Sequence, residues 1–175
     1  CIEPENLAVA QALGIYAREV AFYQTVASSS SLRVPQCFYS FIGDDGRFVL
    51  LIENLSNDYV VGDQIKGATH EQVLSAIEIL AGFHAEWWDS PNLHVLDWLP
   101  NPDDPAYMAA VPEIYRAGLP VLVNEWDSKV PAESIEVAQL LEPKFEQLML
   151  LFAGGPHTFS HADTRLDNLF FSKSD

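Results

Sequence analysis

Apolar residues along the first third of the chain recur at helical steps and then at strand-like steps. Leu13, Tyr16, Ala17, Val20, Tyr23 and Ala27 fall three and four residues apart. That spacing predicts one apolar face on a helix over residues 7–27, ended by the serine run Ser28–Ser31. Aromatic residues then crowd Gln36 to Ile42, and Arg47 to Ile52 is a β-type run. The Gly43-Asp44-Asp45-Gly46 segment between them is a turn signal, so the two runs predict a hairpin. A polar connector, Glu53 to Asp58, follows. Thr69 and Gln72 have the spacing of a capping box, and Val73, Ile77, Leu80, His84 and Trp87 lie on one face behind it. A helix from Thr69 to about Trp88 is expected. The Pro- and Asp-rich stretch 91–105 reads as a connection, with further helices at about 105–117 and 132–152. Gly154-Gly155-Pro156 stops the last of these, and short β-like pieces at 157–160 and 169–171 flank a polar segment. The order of elements is α+β.

That polar segment carries the candidate chemistry. His161-Ala162-Asp163-Thr164-Arg165-Leu166-Asp167-Asn168 has the form H-x-D-x-x-x-x-N. Phosphoryl transfer to a hydroxyl needs a carboxylate to accept the proton and an oxygen ligand to hold Mg²⁺ against the phosphates. Asp163 and Asn168, five residues apart, can face one site if the loop turns back. Protein-kinase catalytic loops use the same spacing.

Charge and composition narrow the partners. The net charge is −16, from 9 basic and 25 acidic residues, and it repels nucleic acid and anionic membrane surfaces. No nucleic-acid or membrane partner is expected. The same field opposes nucleotide phosphates, so an ATP site here must lean on Mg²⁺ and local cations. Nearly half the residues are hydrophobic (49%), as in a core-forming globular chain, and no apolar run is long enough for a membrane helix. The start, Cys1-Ile2-Glu3-Pro4, has neither a signal-peptide pattern nor an initiator Met, which suggests processing or a piece of a longer chain. Cys1 and Cys37 have no metal or redox spacing, so a reducing, cytoplasmic setting is expected.

Four segments in register now carry a resemblance. Arg18-Glu19-Val20-Ala21-Phe22-Tyr23, Leu50-Leu51-Ile52-Glu53-Asn54-Leu55, Leu80-Ala81-Gly82-Phe83-His84-Ala85 and Phe159 to Phe171 follow one another in the chain. In that order the sequence resembles the aminoglycoside phosphotransferase and choline-kinase-like superfamily, including its ecdysteroid-kinase-like branch, over about residues 15–172. The resemblance implies part of a two-lobed, protein-kinase-like fold. Residues 1–55 would be a partial small lobe and hinge, and 56–175 a partial large lobe with acceptor-binding helices and the catalytic loop.

The resemblance also implies roles. Asp163 would be the catalytic base and Asn168 a Mg²⁺ ligand. Glu19 would pair with a lysine that grips the ATP phosphates, and backbone groups of Ile52, Glu53, Asn54 and Leu55 would hold the adenine. His161 is read as holding Asp163 in place through backbone hydrogen bonds rather than as a base. Arg165 is read as a loop residue paired with Asp167, with phosphate neutralisation as the alternative. Such a protein is an ATP-dependent phosphotransferase acting on a hydroxyl of a small molecule.

Departures accompany the match. The phosphate-gripping lysine would lie before Cys1 and the second metal-binding Asp after Asp175, so a fragment is expected, inactive by itself. A non-catalytic, pseudokinase-like binding module is the alternative. A metal-dependent hydrolase built on His161 and Asp163 would need further ligands, and His70, His84, His94 and His157 show no such cluster in sequence. Ala162 stands where the family has Gly, which an Ala tolerates if its φ is negative. Oligomeric state and acceptor identity have no signal.

Overall fold

The computed structural model describes residues 10, 11, 13–126 and 128–173. Residues 7–9 and Ala12 of the first expected helix, and Cys1, lie outside them. The architecture is α+β, in two compact units: residues 1–98 with 157–175, and residues 99–156.

In the first unit, helix α1 spans Ile15–Thr25, shorter than the apolar periodicity predicts. Gly14, at φ 64, stands just before it, a left-handed geometry that glycine adopts without a Cβ penalty. Strands β1 (Cys37–Ile42) and β2 (Phe48–Ile52) form the expected antiparallel hairpin, with Tyr39 opposite Leu51 and Ile42 opposite Phe48. Glu53 extends the pairing beyond the strands. Its N–H donates to the Gln36 carbonyl at 2.8 Å, and its carboxylate accepts from the Gln36 N–H at 3.1 Å.

Strand β3 (Tyr59–Val61) has no counterpart in the sequence reading; it pairs antiparallel with β4 (Phe170–Ser172). Helix α2 runs His70–Trp87. Its capping box forms as the spacing predicts: Thr69 Oγ1 accepts from the Gln72 N–H, and Gln72 Oε1 accepts from the Thr69 N–H.

The core of this unit gathers on one ring. Val20, Val26 and Phe83 are almost fully buried, and Phe159 is 7% exposed. Phe22, Phe83, Trp87 and Trp98 surround Phe159 with ring centroids 5.3 to 5.9 Å away. The Trp87 and Phe22 rings meet it nearly edge to face, the geometry that aromatic quadrupoles favour.

The second unit is helical. Helix α3 spans Pro105–Glu125 and runs through Pro112 and Pro120, where the sequence predicts an end near 117. Two helices replace the single one expected over 132–152: α4 (Ala132–Leu141) and α5 (Phe145–Ala153), separated by a 3₁₀ turn at Glu142–Lys144. Pro143 lies in that turn; it lacks the N–H that a continuous helix needs. Arg116 joins three segments of this unit, reaching Glu113 at 2.6 Å, Glu146 at 2.8 Å and Glu142 at 3.1 Å. Tyr115 stacks on Phe145 at 4.3 Å and donates its hydroxyl to the Ala138 carbonyl at 2.8 Å. No helix among the described residues is long and apolar enough to cross a membrane.

Candidate functional site

The H-x-D-x-x-x-x-N segment forms a tight polar loop at the surface of the first unit. It leaves the aromatic cluster at Phe159 and enters β4 at Phe170. Residues 157–160 form no strand, unlike the short β piece expected there. A turn of 3₁₀ helix, Leu166–Asn168, closes the loop, and Asn168 donates its backbone N–H to the Arg165 carbonyl at 2.9 Å.

This turn brings Asn168 back onto Asp163. The carboxamide Nδ2 donates to Asp163 Oδ2 and to the Asp163 carbonyl, each at 2.9 Å. With its nitrogen committed, Asn168 keeps Oδ1 as an acceptor or ligand atom. The Asp163 N–H donates to His161 Nδ1 at 3.3 Å. That bond uses the Nδ1 lone pair and puts the proton of a neutral imidazole on Nε2. Arg165 Nε lies 3.7 Å from Asp163 Oδ2. Its pairing is therefore with Asp163, which corrects the expected pairing with Asp167. Asp167 instead faces away and accepts from the Gln64 N–H at 3.3 Å. His161, Asp163, Arg165 and Asn168 are all exposed.

Ala162 sits at φ 63. The negative φ under which an Ala is tolerated here is therefore not met. A left-handed Ala costs about 1–2 kcal/mol relative to the right-handed region, so the loop holds strain between His161 and Asp163.

Neighbouring segments fix the far side of the loop. Gly62 donates its N–H to the Leu169 carbonyl at 2.9 Å, and a Cβ at Gly62 would lie 2.5 Å from the Leu166 carbonyl oxygen. Only glycine allows that approach. Gly62, Gln64 and strand β3 were not identified from sequence. The Tyr59-Val60-Val61-Gly62 run is their one legible signal, a short β-prone stretch closed by a glycine.

Of the expected adenine-holding residues, Glu53, Asn54 and Leu55 line a cleft of about 490 Å³ with Ser56, β3, Phe170 and Lys173. Ile52 lies in β2, paired with Cys37. Asn54 caps a 3₁₀ turn by accepting from the Ser56 N–H at 2.9 Å, and the Leu55 carbonyl accepts from the Asp58 N–H at 3.2 Å. Lys173 closes one end. Its Nζ donates to the Ser56 and Asn57 carbonyls at 2.7 and 3.1 Å.

Glu19, on α1, is exposed by area, yet the protein packed around it raises its pKa; the field of His161 opposes that rise. Four residues on, burial, Glu19 and Cys37 together push the Tyr23 hydroxyl up to about 12. The field of the loop thus reaches Glu19. Among the described residues no three His, Cys, Asp or Glu side chains are grouped to hold a metal ion.

No protein-family model, no curated protein and no solved structure matches this chain.

Proposed function

We propose that the chain carries the catalytic loop and nucleotide cleft of an ATP-dependent phosphotransferase that acts on a hydroxyl of a small molecule. The observation that carries this reading is the double hydrogen bond from the Asn168 carboxamide to Asp163. It joins a carboxylate that can accept a proton to an amide oxygen that can ligate a hard cation.

Asp163 accepts the acceptor hydroxyl's proton as its oxygen bonds to the γ-phosphorus of ATP and the bond from that phosphorus to the ADP leaving group breaks. His161 holds the Asp163 main chain and Asn168 its carboxylate, so little reorganisation is left for the reaction itself. Arg165 adds a cation beside the carboxylate, where phosphate charge would gather. The local oxygen donors fit Mg²⁺, which prefers carboxylate, amide and phosphate oxygen to nitrogen or sulfur. MgATP would supply the phosphoryl group, and Asn168 Oδ1 would hold the cation, which would neutralise phosphate charge.

The cleft supports the nucleotide half of the reading. A volume of about 490 Å³ lies within the usual range for small-molecule sites. An adenine edge needs one acceptor and one donor. The hydrogen bonds of residues 53–55 leave the Glu53 carbonyl and the Asn54 N–H to meet it. Glu19 fits its expected pairing with a lysine, since a cation would relieve the burial that now raises its pKa.

The test is acceptor-dependent ADP release from MgATP by the natural full-length protein across a panel of small-molecule alcohols. Asp163→Ala should lower the rate by ~10²–10⁴-fold, the usual loss when a positioned base is removed. A loss within about tenfold would remove Asp163 from the chemistry.

A further inference from the structure

We propose that Asp89, at the end of helix α2, is a positioning residue that clamps the entry to the Asp163 loop through both main-chain groups of His157. The proposal deepens the phosphotransferase reading and rests on it for the chemistry it assigns to Asp163.

Asp89 follows the helix and its cap, Trp88, in the left-handed region at φ 47. Two bonds then run to one residue. The Asp89 N–H donates to the His157 carbonyl at 2.7 Å, and Asp89 Oδ1 accepts from the His157 N–H at 2.9 Å. A strand neighbour would satisfy both main-chain groups in the same way, but here Asp89 does it from 68 residues away with its own N–H and its carboxylate. One position on, Thr158 Oγ1 donates to the His84 carbonyl of the same helix at 2.7 Å. Phe159 is then buried in the aromatic cluster.

The conformation of Asp89 argues for a specific use. Glycine ends a helix in the left-handed region without a Cβ penalty. Aspartate tolerates that region less well, but it brings an acceptor oxygen that glycine lacks. At this position the acceptor is spent on the backbone that leads to Asp163. The loop beyond has no buried side chain of its own between His161 and Asn168. Its strained residue, Ala162, lies five positions after the clamp. Strain of this kind persists only where the flanking structure over-determines the backbone. Downstream, the Gly62–Leu169 bond and the β3–β4 pairing serve that purpose. Upstream, the Asp89 pair, Thr158 and Phe159 do.

Three variants separate the clamp from the helix end. Asp89→Gly keeps the left-handed geometry and the N–H but removes the acceptor. Asp89→Asn keeps both, and Asp89→Ala loses the acceptor and adds strain. Amide hydrogen exchange on the whole chain reads the outcome. Asp89→Gly and Asp89→Ala should speed exchange across residues 157–163 by about tenfold, as expected for one lost hydrogen bond, with residues 99–156 unchanged. Asp89→Asn should stay within about threefold of the wild type. In the natural full-length protein with MgATP, Asp89→Gly should lower kcat by about tenfold, leave KM for ATP within about twofold, and be rescued by Asp89→Asn.

Unchanged exchange in Asp89→Gly, or equal exchange in Asp89→Gly and Asp89→Asn, overturns the clamp. If exchange responds but the wild-type protein transfers no phosphoryl group, the phosphotransferase reading fails and the clamp stands. If transfer occurs and Asp89→Gly leaves kcat unchanged, the positioning role fails and the reading stands.

Discussion

His157–Phe159 and His161–Asn168 are separated by a single serine, yet the fold holds them by different means. The first stretch is anchored from outside itself. Asp89 and the His84 carbonyl take its polar groups, and four aromatic rings enclose Phe159. The second stretch is exposed and is held mainly by itself, through the Asn168–Asp163 and Asp163–His161 bonds. Exposed hydrogen bonds, the Asp89–His157 bond among them, contribute about 0.5–1.5 kcal/mol each, and the loop, unlike the first stretch, adds no buried ring to them. The groups to which we assign the chemistry therefore sit in a loop with little stability of its own. Their placement is inherited from the buried Phe159 before the loop and the β3–β4 pairing after it, an arrangement that leaves Asp163 open to solvent.

Two substitutions probe that contrast, the larger first. Phe159→Ala removes the ring on which the cluster converges, and a buried Phe→Ala change costs about 3–5 kcal/mol. Denaturant unfolding should show a loss of that size, with amide protection in residues 161–168 falling in parallel. A loop that kept its protection while the core lost stability would mean that it is not supported from Phe159. A smaller effect of opposite sign is expected inside the loop. Ala162→Gly relieves the left-handed strain at φ 63 but frees the unfolded chain. The net should be a gain of up to about 1 kcal/mol, read as a raised thermal midpoint. A lowered midpoint would show that the loop does not store strain at Ala162.

The two stretches also differed in how far sequence could read them. Spacing alone gives the capping box at Thr69 and Gln72, and the Gly43–Gly46 turn gives the hairpin, because both are decided within a few residues. The five-residue step from Asp163 to Asn168 is local too, and the loop does turn back over it. Arg165 was misread because a two-residue step to Asp167 looks like a pair. The 3₁₀ turn instead sends Asp167 toward Gln64 and leaves Arg165 beside Asp163.

Apolar periodicity runs unbroken across 132–152, and it masks the missing donor at Pro143 that splits the helix. The reverse error occurs at Pro120, a residue that α3 carries without ending. Strand β3 is three residues long, and its partner lies more than a hundred residues on, so no local pattern announces it. The same distance problem hides Asp89. Nothing near it in sequence points to His157.

The central claim is that a metal-bound nucleotide sits at Asp163 and Asn168. Nuclear magnetic resonance of the isotope-labelled chain titrated with MnATP locates it directly, because the paramagnetic ion broadens nearby signals first. The account predicts that the Asn168 side-chain amide and the Asp163 backbone broaden before any other signals, followed by residues 53–55. Broadening that begins elsewhere, or none at nucleotide concentrations that saturate ordinary kinases, would contradict it.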